Sequence, residues 1–127
     1  MTVLIALTSL IALWLIVAGV VMAVRPAYAL SVVAKAGSTV GAQWLEHTLR
    51  FLAGVVLALV SSESRAPQSL LIIGGFVAAT SILILILPRR WHHAYAVWCA
   101  RTLPPWLIRV LSPVSLLAAG ALLWAVF

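Results

Sequence analysis

The fold is decided by residues Thr2 to Val24, which read TVLIALTSLIALWLIVAGVVMAV. The stretch has no charged side chain, and after Thr2 only Thr8 and Ser9 are polar. A helix of this length is long enough to cross the hydrocarbon core of a bilayer. A cleaved secretory signal is the alternative, but such a signal has a basic segment before a shorter apolar core. We therefore predict a transmembrane helix that ends at Arg25.

Three further apolar runs follow along the chain. Leu49 to Val60 is the shortest, and it reaches spanning length only if its helix begins near Trp44 and Arg50 extends its side chain to the headgroups. The third run extends from Ser69 to Leu87, and the fourth begins after Pro104-Pro105, carries Arg109 near its start and runs to Phe127. Each of these two is long enough to cross the membrane without such help.

Composition agrees with this interpretation. Of 127 residues, 65% are hydrophobic and 8% are charged, a balance that a soluble protein with a polar surface does not have. The length accommodates about four spans of roughly 20 residues with short connections. The sequence therefore predicts an all-α integral membrane four-helix bundle, with residues 1–127 as a single transmembrane domain.

Two intermediate segments, Ala27–Gln43 and Arg89–Leu103, are too polar to cross the membrane and too apolar for ordinary loops. On a helix, the second segment has an aromatic face formed by Trp91, Tyr95 and Trp98. Its separate basic face is formed by Arg90, His93 and Arg101. Such segments are typical of amphipathic helices that lie at the membrane surface.

The chain also contains an internal repeat. Pro26 and Trp44 are separated by the same number of residues as Pro88 and Trp106, which gives an offset of 62. A second register, with an offset of 59, pairs Arg50-Phe51-Leu52 with Arg109-Val110-Leu111. We predict two copies, residues 1–62 and 67–127, each made of a span, an interfacial helix and a span. Two spans return the chain to its starting side, so the copies should be parallel repeats about an axis along the membrane normal.

Three short motifs carry a resemblance to a known family: Pro88-Arg89-Arg90-Trp91, Leu103-Pro104 and Leu107-Ile108-Arg109, followed by an apolar helix with small residues. With these motifs the chain resembles the YjeT-like family of small bacterial inner-membrane proteins. Members look like one such hairpin each. The resemblance implies a tandem duplication over nearly the full length and a bacterial inner membrane, and it brings no established activity.

The basic residues predict the orientation. Seven of the eight lie within or beside the two intermediate segments, and only Arg65 lies in the opposite connection, Ser61–Gln68. By the positive-inside rule, the interfacial helices should be cytoplasmic and both termini should lie on the outer side. We expect anionic lipid headgroups, and not nucleic acid, to be the partners of these charges. The predicted headgroup residues are Arg25, Lys35, Trp44, Arg50, Arg89, Arg90, Trp91, Trp98, Arg101, Trp106 and Arg109.

Small residues four positions apart occur once in each span. Because helices in lipid associate through close backbone packing, such pairs are candidates for helix contacts. The predicted helix-packing pairs are Gly19 and Ala23, Gly54 and Ala58, Gly75 and Ala79, and Ser115 and Ala119.

Catalytic chemistry has little support in the sequence. The two carboxylates, Glu46 and Glu63, lie outside the apolar cores, whereas a proton-coupled transporter usually has an ionisable group within the membrane. His47, His92, His93 and Cys99 all flank spans, and the adjacent His92 and His93 point about 100° apart on a helix. We therefore predict no catalytic residue, no metal site and no cofactor.

Three functions remain open. The first is a non-catalytic accessory or scaffold subunit that packs against a larger membrane protein complex or forms a homo-oligomer. The second is a protein that binds a lipid, a quinone or a pigment between its hairpins. The third, a small transporter, has the least support, because it needs a polar path across the membrane.

Overall fold

The computed structural model describes all 127 residues, and its regular structure is entirely helical. Six α-helices follow one another with short connections, and a short 3-10 turn, Ser61–Glu63, follows the third. The helices are α1 (Thr2–Val24), α2 (Pro26–Ala34), α3 (Val40–Val60), α4 (Pro67–Ile86), α5 (Arg89–Thr102) and α6 (Pro105–Val126).

Four of the helices, α1, α3, α4 and α6, are long and apolar enough to cross a membrane. This confirms the predicted all-α bundle with four spans. The second span is longer than the apolar run Leu49–Val60, because α3 begins at Val40. Thr39 caps that start, since its hydroxyl accepts a hydrogen bond of 3.0 Å from the backbone N–H of Ala42.

The spans pack mainly as two pairs, α3 with α4 and α1 with α6, and the pairs meet chiefly where α1 contacts α3. The short helices α2 and α5 pack against each other at one end of the spans. At the other end, Arg65 in the connection after α3 donates from Nη2 to the carbonyl of Phe127 at 2.9 Å. The two pairs are therefore joined at both ends.

The α3–α4 pair is in close contact at two glycines. A Cβ added at Gly74 would lie 2.5 Å from the carbonyl oxygen of Gly54 and 2.7 Å from the backbone nitrogen of Ala58. A Cβ at Gly54 would lie 2.6 Å from the carbonyl oxygen of Gly74 and 2.7 Å from the backbone nitrogen of Ala78. The two backbones approach this closely only because neither glycine has a side chain.

The α1–α6 pair is held differently. Ala12 and Ala119 are almost fully buried in the apolar core of the bundle, and the Ser115 hydroxyl donates a hydrogen bond of 2.7 Å to the carbonyl of Leu15. A Cβ at Gly19 would meet the side chain of Leu116 at 2.9 Å. Here side chains, rather than bare backbone, fill the space between the helices.

Pro113 lies within α6 and cannot donate a backbone hydrogen bond to the carbonyl of Arg109. Ser112 replaces that donor, because its hydroxyl bonds to the carbonyl of Arg109 at 2.7 Å. A proline inside a spanning helix is tolerated when a neighbouring side chain satisfies the free carbonyl in this way.

Buried residues recur at constant spacings between the two halves of the chain, from α1 to α4 and from α3 to α6. Each buried residue of α4 lies 62 positions after one of α1: Thr8 and Leu70, Ala12 and Gly74, Gly19 and Ser81. Each buried residue of α6 lies 65 positions after one of α3: Gln43 and Ile108, His47 and Ser112, Gly54 and Ala119, Leu57 and Leu122, Val60 and Ala125. The first spacing equals the offset read from Pro26 and Pro88, whereas Trp44 and Trp106, also 62 apart, lie on α3 and α6, whose buried residues are 65 apart. The second differs from the predicted register of 59, since α5 is longer than α2.

One predicted packing pair lies one position away from the helix contact inside the bundle. Gly75 and Ala79 lie on the exposed face of α4, and a Cβ added at Gly75 would meet nothing within 4 Å. Gly74 and Ala78 form the contact with α3 instead. The other predicted residues lie toward their partners: Gly54 and Ala58 against α4, and Gly19, Ala23, Ser115 and Ala119 between α1 and α6.

Candidate functional site

The polar side chains are concentrated at the end of the bundle that carries α2 and α5. One of the basic ones bonds to a carbonyl that a helix end leaves without a partner. Arg109 donates from Nε to the carbonyl of Ala23 at 3.0 Å, near the end of α1. Arg50 bonds to the Thr80 hydroxyl at 3.2 Å and so links α3 to α4. Of the predicted headgroup residues, Arg50 lies at the middle of α3 and bonds to Thr80 rather than extending to the end of the bundle. The others lie in or next to α2 and α5 or in the first two turns of α3 and α6.

The connection between α2 and α3 is fixed by residues of α5. Gly37 adopts a φ of 70°, a left-handed conformation that favours glycine. Arg89 donates from Nη1 to the carbonyls of Gly37 and Ser38, at 2.8 and 2.9 Å. His93 Nδ1 lies 2.9 Å from the carbonyl of Ala36, which requires a proton on Nδ1. This connection therefore holds α5 against the start of α3.

Three potential metal ligands meet beneath this connection. His47 on α3 is fully buried, and its Nε2 lies 3.4 Å from Nε2 of His92 on α5. The two imidazole rings meet edge to face, with centroids 4.9 Å apart. A carboxylate oxygen of the exposed Glu46 completes the group, and no two of the three ligand atoms are more than 4.8 Å apart. We refer to Glu46, His47 and His92 as the histidine cluster.

Two polar atoms beside the histidine cluster are buried without partners, Nδ1 of His47 and Oε1 of Gln43. Gln43 lies one helical turn before His47, on the same face of α3. Its Nε2 donates to the carbonyl of Ile84 at 3.3 Å, which has no backbone donor because Pro88 lies four residues later. Unpaired buried polar groups are uncommon in folded proteins, so these two need an explanation.

A groove of about 590 Å³ borders the histidine cluster, and Glu46 and His92 form part of its wall. Most of its lining is hydrophobic, with Trp14 of α1 at one side and Lys35 at its rim. Tyr95 also borders the groove, and a side-chain hydrogen bond with Cys99 raises the pKa of the Tyr95 phenol. The groove therefore has an apolar interior with a charged opening, as an amphiphilic ligand requires.

The histidines meet in a way that the spacing of His92 and His93 does not predict, because the structure pairs His92 with His47, 45 positions earlier. His47 flanks the apolar run of its span, as expected, but its side chain is fully buried. Gln43 was missed as a site residue. Its spacing of four from His47 is the signal in the sequence that could have drawn attention to this face of α3.

The aromatic side chains predicted at the membrane surface are exposed. Trp44, Trp91, Trp98 and Trp106 each expose more than half of their surface at this end of the molecule. Tyr95 stacks on Trp98 along the outer face of α5, with ring centroids 6.1 Å apart. Amphipathic rings in such positions are favoured by the boundary between lipid and water.

No protein-family model, no curated protein and no solved structure matches this chain. Its functional interpretation therefore rests on the geometry described above.

Proposed function

We propose that this chain is a non-catalytic accessory or scaffold subunit that packs against a larger protein complex in a bacterial inner membrane. The supporting observation is that small residues remain on outward faces after the bundle has formed. Gly75 on α4 and Gly120 on α6 are both exposed, and a Cβ added at either would meet nothing within 4 Å.

The exposed face of α4 is suited to a further helix. Gly75 and Ala79 form its centre, and Ile72, Ile82 and Ile86 extend it at alternating spacings of three and four. This is the spacing of a helix-packing seam, and the small residues at its centre allow a second backbone to approach closely. Lipid requires no such gap, so a partner helix is the better occupant.

The experiment is gentle purification followed by native mass spectrometry of the parent and of Gly75→Leu. We expect the parent to retain a partner protein and the variant to lose it while remaining folded. Ala6→Leu is the matched control, since it adds bulk to an exposed small residue of α1. If the parent retains only further copies of itself, its partner is a second copy of this chain and the assembly is a homo-oligomer, not a larger complex. Retention of the partner by Gly75→Leu would contradict the proposal for this face.

The groove beside the histidine cluster favours a second candidate function, the binding of a lipid, quinone or pigment. Its apolar lining suits a hydrocarbon tail, and Lys35 and Glu46 could bind a polar head. Native mass spectrometry of the parent should then show a small molecule at one copy per chain. Ala42→Trp, which fills the groove, should remove it. A small transporter has weaker support, because Glu46 and Glu63 lie near the ends of the spans.

Orientation and origin belong to the same proposal. Clustering of the basic residues around α2 and α5 supports a cytoplasmic position for these helices, with both termini on the outer side. Anionic headgroups would add about 1 kcal/mol per nearby basic residue. The constant spacings of 62 and 65 between buried residues support an internal duplication. They also agree with the arrangement that the resemblance to the YjeT-like family implies.

A further inference from the structure

We propose that the histidine cluster binds one divalent transition-metal ion of the zinc type, at the end of the bundle where α3 meets α5. This inference goes beyond the scaffold function and does not depend on it. The ligands would be Nε2 of His47, Nε2 of His92 and a carboxylate oxygen of Glu46.

The distance between the two imidazole nitrogens is the first argument. Zinc binds imidazole nitrogen at about 2.0–2.1 Å with tetrahedral angles, which places two such nitrogens about 3.4 Å apart. The two Nε2 atoms are 3.4 Å apart in this structure. A carboxylate oxygen of Glu46 lies within 4.8 Å of both nitrogens, and the Glu46 side chain is exposed. A change of its rotamer would bring this oxygen to bonding distance from the metal.

A hydrogen bond between the two histidines would give the same distance but would leave His47 unsatisfied. Whichever ring donates, Nδ1 of His47 stays buried with no partner. A metal on Nε2 fixes the proton on Nδ1, as a hydrogen bond donated by His92 also would, and Nδ1 then becomes a donor. Metal-bound histidines usually donate this second N–H to an oxygen acceptor.

Gln43 carries the second unpaired polar atom. Its Oε1 is buried without a partner, and it lies one turn before His47 on the same face of α3. A Cβ at Gly37 would lie 3.3 Å from this oxygen and 3.0 Å from Cδ2 of His92, which places the carboxamide beside the cluster. His47 Nδ1 and Gln43 Oε1 are not bonded to each other in this structure, so their pairing as donor and acceptor would need a rotation of the Gln43 side chain when the metal binds.

The ligand set determines the kind of ion. Two imidazoles and one carboxylate suit zinc and related transition metals, whereas magnesium and calcium prefer oxygen ligands throughout. Three protein ligands leave a fourth position open, as in sites that bind water or a further ligand. That position would face the groove, because Glu46 and His92 form part of the groove wall.

The test is zinc binding by the full-length chain in detergent, purified without a polyhistidine tag, followed by calorimetry and metal analysis. We expect one zinc ion per chain and no measurable binding of magnesium. His92→Ala should weaken zinc binding by at least about tenfold. His93→Ala is the matched control, since it removes the adjacent histidine, which bonds to a carbonyl and is not in the cluster. Glu46→Gln should weaken binding, and Glu63→Gln, at the opposite end, should not.

His47→Ala removes a buried side chain and can prevent folding, so the exposed Glu46 and half-buried His92 carry the test. The X-ray absorption spectrum of bound zinc should show two imidazole ligands in the parent and one in His92→Ala. Zinc at less than one ion per chain in the parent would overturn the proposal. Equal zinc affinity of His92→Ala and His93→Ala would also overturn it.

Discussion

The α3–α4 pair and the α1–α6 pair share a pattern of burial but differ in the side chains that fill it. Gly54 of α3 corresponds to Ala119 of α6, 65 positions later. Gly74 of α4 corresponds to Ala12 of α1, 62 positions earlier. The first pair therefore packs backbone on backbone, and the second packs through side chains. Two helix pairs with the same pattern of burial can therefore differ in how well their contacts tolerate an added side chain.

The polar positions differ more strongly. Gln43 and His47 on α3 correspond to Ile108 and Ser112 on α6. Ser112 bonds to a carbonyl of its own helix, whereas His47 reaches across to α5. If the two halves arose by duplication, the frame was kept in both, and the histidine cluster draws Glu46 and His47 from the first half and His92 from the second.

The largest effect that this comparison predicts is for Gly74→Ala. The new methyl group would meet the backbone of Gly54 and Ala58, which cannot move without separating α3 from α4. We expect a loss of about 2–3 kcal/mol, at the upper end of the usual cost of overpacking. The measurement is unfolding in mixed micelles titrated with SDS. Gly75→Ala is the matched control, with open space around its Cβ, and equal stability of the two variants would refute the close contact.

A smaller effect is expected for Gly19→Ala in the other pair. Its methyl group would lie 2.9 Å from Cγ and Cδ2 of Leu116 and 3.3 Å from the carbonyl oxygen of Ser112, and the Leu116 side chain can adopt another rotamer. The cost should be about 1 kcal/mol or less. The same SDS titration measures it. Should Gly19→Ala prove as damaging as Gly74→Ala, the distinction between the two pairs would be lost.

The smallest effect is expected for Ser115→Ala, which removes the hydrogen bond from α6 to the carbonyl of Leu15. Hydrogen bonds between helices in membranes contribute about 0.6 kcal/mol on average. Ser9→Ala is the control, since the Ser9 hydroxyl bonds within its own helix, to the carbonyl of Ile5. A loss no greater for Ser115→Ala than for Ser9→Ala would show that the contact contributes nothing between the helices.

Length and hydropathy were sufficient to predict the four spans. They could not give the rotation of α4 about its axis, because that helix is apolar on every side and Gly74 and Gly75 are equally plausible in sequence. Only the contact with α3 distinguishes them. The start of α3 was placed near Trp44, because the polar residues before it concealed a helix that Thr39 caps.

The histidine cluster could not be predicted for a different reason. His47 and His92 lie on helices that are not consecutive, and their contact depends on how α5 rests over the α2–α3 connection. That position is set by the bonds of Arg89 and His93 to backbone carbonyls, which no spacing in the sequence specifies. The spacing of 65 between the buried residues of α3 and α6 could not be predicted either, because α5 is longer than α2.

The central claim is that four helices cross the membrane with α2 and α5 on the cytoplasmic side. Labelling of intact cells with a membrane-impermeant maleimide tests it most directly. Cys99→Ser provides the background, and one new cysteine is introduced by Ser62→Cys or by Ser38→Cys, both at exposed positions on opposite ends of the bundle. We predict labelling at position 62 and none at position 38 until the cells are opened. Labelling at position 38 but not at position 62 in intact cells would contradict the orientation, and labelling at both would contradict the crossing itself.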